Sequence, residues 1–180
     1  MSLTVSGFDK ARDGVSSDEV LRLILELVPE THRRWVQQLI YEPRSDIELE
    51  LRADRTGRKR LDIDLALRDR YTRPMELGLH SLDASGVERI VVHTVHQLEE
   101  NILHEFGHSL REHLSEEAKA EWASAQATSR QYGLLSQRAS DDEHESFAEC
   151  YAKFMSNPQA FKDVDPETYA FFQRHFGRSR

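Results

Sequence analysis

Residues 104 to 108 read His-Glu-Phe-Gly-His, and this H-E-x-x-H pentapeptide constrains the chain more than any other stretch. On an α-helix, two histidines four residues apart share one face and can converge on a single Zn²⁺, with the intervening glutamate beside the remaining coordination position. That reading requires a helix, and the flanking sequence supplies one. In residues 94–112, Leu98, Ile102, Phe106 and Leu110 recur every four positions and form an apolar stripe facing a core. His104 and His108 fall on a neighbouring face. Thr94 and Gln97 read as a capping-box start, and Val87 to Val92 (V-E-R-I-V-V) as a strand feeding into the helix. Without that context, the same residues read as two surface histidines and a solvated glutamate.

Catalysis at zinc needs three protein ligands and an open position for water. The pentapeptide supplies two ligands. One solution extends it to H-E-x-x-H-x-x-G-x-x-H, but here Arg111 and Leu114 occupy the glycine and histidine positions. His113 is one residue off and, without the glycine hinge, stays on the helix. The other solution takes a glutamate from a later helix. Residues 140–156, S-D-D-E-H-E-S-F-A-E-C-Y-A-K-F-M-S, read as such a helix, opened by a Ser140/Glu143 capping box and closed by Asn157-Pro158. Glu145 and Glu149 share one of its faces. One carboxylate can bind the metal while the other accepts the N–H of a ligating histidine; solvated glutamates on an acidic helix end are the alternative. Asp141 to Glu143 read as charges that favour the helix dipole.

The pairing of H-E-F-G-H at 104–108 with E-S-F-A-E at 145–149 resembles the catalytic domain of anthrax lethal factor and the related Pro-Pro endopeptidases. The likeness runs from about Val87 to Phe176. It implies zinc bound by His104, His108 and Glu145, with Glu105 as general base and Glu149 holding a ligand from behind. The family places a tyrosine seven residues before the ligand glutamate to stabilise the oxyanion. Here that position is Arg138, with Tyr132 nearby in the loop, and His113 and His144 as remoter alternatives.

The rest of the chain bounds this reading. At 180 residues and 38% hydrophobic content it fits one domain, with N-terminal helices and sheet over about 1–95 and a zinc-binding helical half over about 96–180. A formal charge of −8 argues against a nucleic-acid partner. The single cysteine, Cys150, cannot form an internal disulfide and reads as a buried structural thiol. The N-terminus lacks a signal-peptide pattern and no segment is apolar enough to span a membrane, so the chain as written is expected to be cytoplasmic. A removed signal, or origin in a larger toxin, would leave no trace.

Ser16 and Glu19 begin an amphipathic helix through Leu21, Ile24, Leu25 and Val28; Pro29 breaks it, and a second apolar run carries Trp35, Val36, Leu39 and Ile40. Ile47–Leu51 and Leu61–Leu67 alternate as a hairpin around Gly57, with Arg52, Arg55, Arg58, Lys59 and Arg60 at its solvated tip. Met75, Leu77 and Leu79 suggest a further strand. Ser115 caps a helix to about Arg130, and Asp165-Pro166-Glu167 starts a last one.

Together these features predict an α+β domain of the zincin type, a small twisted sheet beside a helical half that carries the metal. The expected activity is hydrolysis of peptide bonds in a peptide or protein substrate, with one Zn²⁺ per chain. A cytoplasmic repressor-cleaving protease and a zinc-stabilised, non-catalytic peptide-binding module are the alternatives.

Overall fold

The computed structural model describes residues 3–11, 15–43, 78–82, 84–95, 97–131, 139 and 142–177. Strands β1 (Thr4–Ser6), β2 (Val36–Tyr41), β3 (Gly78–Leu82) and β4 (Glu88–Val92) form one sheet in the order β1-β2-β4-β3. The first three neighbours run parallel, and β3 pairs antiparallel to β4. Helices α1 (Ser17–Leu27) and α2 (Glu30–Arg33) connect β1 to β2; α3 (Leu98–Glu112), α4 (Glu116–Gln131), α5 (Glu143–Ser156), α6 (Pro158–Val164) and α7 (Pro166–Phe176) make a helical half. The described residues therefore form an α+β fold, and among them no helix is long and apolar enough to cross a membrane.

The second apolar run forms β2. Its Leu39 shares a register row with Val5 and Ile90, and Leu39 and Ile90 are fully buried. Glu88, Ile90 and Val92, two apart on β4, point the same way into the core. Helix α1 opens with the expected capping box, the Glu19 N–H donating to Ser16 Oγ at 3.2 Å and the Ser16 N–H to Glu19 Oε2 at 2.8 Å. Its buried stripe is Val20, Ile24 and Val28, whereas Leu25 is 50% exposed. Of the expected stripe Leu21, Ile24, Leu25 and Val28, Ile24 and Val28 are therefore buried as expected and Leu21 partly so, while Val20, four residues before Ile24, takes the inner place and Leu25 turns outward. The expected hairpin over 47–67, its basic tip, Met75 and Leu77 lie outside the described residues.

In the helical half, Ile102, Phe106 and Leu110 of α3 are buried as their spacing predicts. Ser115 Oγ accepts from the Ala118 N–H at the start of α4, and Asp165 from the Thr168 N–H at the start of α7. Asn157-Pro158 closes α5 and also opens α6, where Asn157 accepts from the Ala160 N–H. Phe147 of α5 packs edge-on against Trp122 at 5.0 Å and tilted against Phe172 at 5.1 Å, fixing α5 between α4 and α7. Cys150 is fully buried.

Two helix starts differ from expectation. Helix α3 begins at Leu98, with Gln97 at its N-cap in the left-handed conformation (φ 51°) and without a side-chain cap bond. Thr94 is buried instead. The tight turn from β4 takes the cap residue out of the extended conformation that a capping side chain needs. Helix α5 is capped by Asp142, which accepts from the backbone N–H groups of His144 and Glu145 at 2.8 and 3.3 Å; Ser140 lies outside the described residues.

Between sheet and α3 a buried carboxylate gathers two histidines. Glu88, 2% exposed, accepts from His80 Nε2 at 2.8 Å and from His113 Nε2 at 2.7 Å, and His113 stacks on Trp35 at 4.3 Å. Burial alone would raise the Glu88 carboxyl, but the bonds from His80 and His113 outweigh it and hold it at about 2, below the ordinary 4.5. A depressed carboxyl contributes stability that is fully present above pH 4.5 and is lost as pH falls towards 2. Glu88→Gln is therefore expected to cost about 2–3 kcal/mol near neutrality, the scale of hydrogen bonds to a buried charge. The deficit relative to the native chain should shrink below pH 4.5 in urea titrations. A deficit independent of pH would refute the assignment.

Candidate metal centre

Helix α3 presents His104 and His108 one turn apart, their rings 4.8 Å apart and nearly perpendicular. Helix α5 brings Glu145 against them. His104 Nε2 lies 3.1 Å from His108 Nε2 and 3.4 Å from Glu145 Oε2, and His108 Nε2 lies 3.5 Å from Glu145 Oε1. This group could hold a metal ion. Donors bonded at ~2.0–2.2 Å to one tetrahedral ion stand roughly 3.3–3.6 Å apart, so the observed separations fit a metal with little rearrangement. Both histidines are half-buried and Glu145 is 7% exposed.

The electrostatics favour a cation. Burial pushes His104 down, yet the Glu145 hydrogen bond and the negative charges of Glu105, Glu145 and Glu149 outweigh it and raise the imidazole above its usual value. Negative charges that favour a proton on His104 also favour a metal cation in its place. Glu105, 4% exposed, lies against strand β3 at Gly78. Glu149 acts on His104 through its charge and also pairs with Lys153 at 3.6 Å.

The approach of the two helices depends on small residues. A Cβ built on Gly107 would lie 2.7 Å from Ala148 Cα and 3.2 Å from the Ala148 carbonyl oxygen. The clashing atoms are backbone, so α5 would have to retreat and carry Glu145 away from the histidines. One turn further along, Arg111 donates to Glu143 Oε1 at 2.6 Å and ties the same two helices together. Gly107→Val is expected to lower stability by about 1–3 kcal/mol, the usual cost of overpacking, and to weaken metal binding in the surviving fold. Native metal affinity in that variant would show that the helix spacing does not set the site.

The structure thus brings together His104, His108 and Glu145, the three residues that the resemblance implies, and the charges of Glu105 and Glu149 bear on His104. His113 is not part of the group, since it turns to Glu88 and Trp35. Glu143 turns to Arg111, and the exposed His144 pairs with Glu112 at 3.5 Å. Tyr132 and Arg138 lie outside the described residues. The sequence reading missed Gly78, Arg111 and Ala148, whose roles arise from contacts between elements far apart in the chain. No protein-family model, no curated protein and no solved structure matches this chain.

Proposed function

We propose that the chain is a zinc-dependent endopeptidase of zincin-like fold. The carrying observation is the His104–His108–Glu145 cluster, with donor atoms 3.1–3.5 Å apart, beside a second carboxylate on the same helix. Two imidazoles and one carboxylate suit Zn²⁺ and leave a fourth position open. Bound there, Zn²⁺ supplies Lewis acidity to a carbonyl and lowers the pKa of water towards ~7. Glu105 follows His104 directly on α3, with its carboxylate against β3 at Gly78. It accepts the proton from the attacking water and returns it to the leaving amine. Glu149, whose negative charge bears on His104, favours the imidazole's orientation and basicity. The likeness of H-E-F-G-H and E-S-F-A-E to the lethal factor and Pro-Pro endopeptidase motifs supports the same reading, with a peptide or protein as substrate.

One sequence observation favours a second reading, a metal-stabilised peptide-binding module without turnover. Arg138 stands where those enzymes carry an oxyanion-stabilising tyrosine, and losing one such donor typically costs about 10²- to 10³-fold in rate. The two readings separate in one experiment. Protein purified without chelator is analysed for metal and then offered a fluorogenic peptide library. One zinc per chain with chelator-sensitive cleavage is the expected result. Zinc without cleavage would favour the binding module, and the absence of bound metal would overturn both.

A further inference from the structure

We propose that Gly78 is the positioning residue for Glu105: the bare backbone of β3 at this position leaves the space that the carboxylate occupies. A Cβ on Gly78 would stand 2.5 Å from Glu105 Oε1 and 2.8 Å from both its Cδ and Cγ. Real side chains do not approach that closely, so no other residue fits at 78 while Glu105 keeps its place.

The backbone gives no competing reason for glycine. Among the described residues the glycines with positive φ are Gly7 and Gly86, and Gly78 pairs in regular register with Val92. Glycine in a strand costs conformational entropy and offers nothing to pack, so β-branched residues are favoured there. Steric room for Glu105 accounts for its presence. Glu105 is 4% exposed, so its carboxylate is enclosed where it stands. The atoms that a new Cβ would meet belong to the Glu105 side chain rather than to backbone. The fold can therefore absorb the substitution by moving the carboxylate, and the consequence falls on chemistry more than on folding.

The inference rests on Glu105 being the general base, and its test has one arm that does not. In that arm, Gly78→Ala is expected to lower Tm by roughly 2–6 °C when Glu105 is present. In a Glu105→Ala background the same change should cause no loss, because the clash is gone and the unfolded chain loses freedom. An equal loss in both backgrounds would overturn the proposal. In the activity arm, Gly78→Ala should reduce kcat by about 10²-fold, as expected for a reacting group displaced by about 1 Å, with KM and zinc content unchanged. Glu105→Asp, whose shorter side chain withdraws from β3, should cost less in the Ala background than in the native one. Native kcat in Gly78→Ala, or a loss matched by lost zinc, would overturn the positioning role. If the native chain hydrolyses no peptide, the hydrolase reading fails, and the Tm cycle still decides whether Gly78 sets the place of Glu105.

Discussion

Glu105→Gln is expected to retain one metal ion per chain and the native Tm while its peptide hydrolysis falls by about 10²- to 10⁴-fold, the usual contribution of a general base. Glutamine has the shape of glutamate, so the space against Gly78 remains filled. Glu105 is not among the three clustered donors, so the ligand set is untouched. What disappears is an acceptor for the water proton. The loss should appear equally in kcat and kcat/KM, since the proton moves only in the transition state. Steady-state kinetics beside elemental analysis provide the check. Hydrolysis within a fewfold of native would remove Glu105 from the mechanism, and parallel loss of metal would make it a ligand.

Removing the third ligand should act on a different quantity. Glu145→Ala is expected to abolish stoichiometric metal binding, and hydrolysis with it, in a chain that still folds. The cluster then keeps two donors instead of three, and its one carboxylate ligand is gone. Glu145 sits at the first turn of α5, where Asp142 caps the helix independently, so the helix itself should survive. His104→Ala and His108→Ala should behave alike. Dialysis against buffered zinc, followed by metal analysis and circular dichroism, distinguishes lost binding from lost folding. Full metal content in Glu145→Ala would move the third ligand to another carboxylate, with Glu149 the nearest alternative on the same helix face.

The two experiments also bear on how the site was readable. His104, Glu105 and His108 are fixed relative to one another by a single helix, whose period any sequence displays. Glu145 lies on another helix, and its approach depends on Gly107 meeting Ala148. Spacing along the chain shows that Glu145 and Glu149 share a face, but not that this face turns towards α3. His113 illustrates the same limit: its place at the end of α3 was legible, while its bonds to Glu88 and its stack on Trp35 come from a strand and a turn far away in sequence.

Local chemistry was therefore decided by the sequence alone: the buried stripe of α3, the capping box of α1, the Asp165-Pro166 start of α7 and the strand character of Glu88–Val92. These depend on interactions within one or two turns, where residue type and period suffice. Tertiary structure decided what depends on close approach between distant segments. It folded Val36–Tyr41 as a strand between β1 and β4, turned Leu25 of α1 outward and moved the caps of α3 and α5. It also set the bare backbone of Gly78 against Glu105. Each is an outcome of packing, in which the position of one element is fixed by the volume of another, and that volume is not written in the local sequence of either.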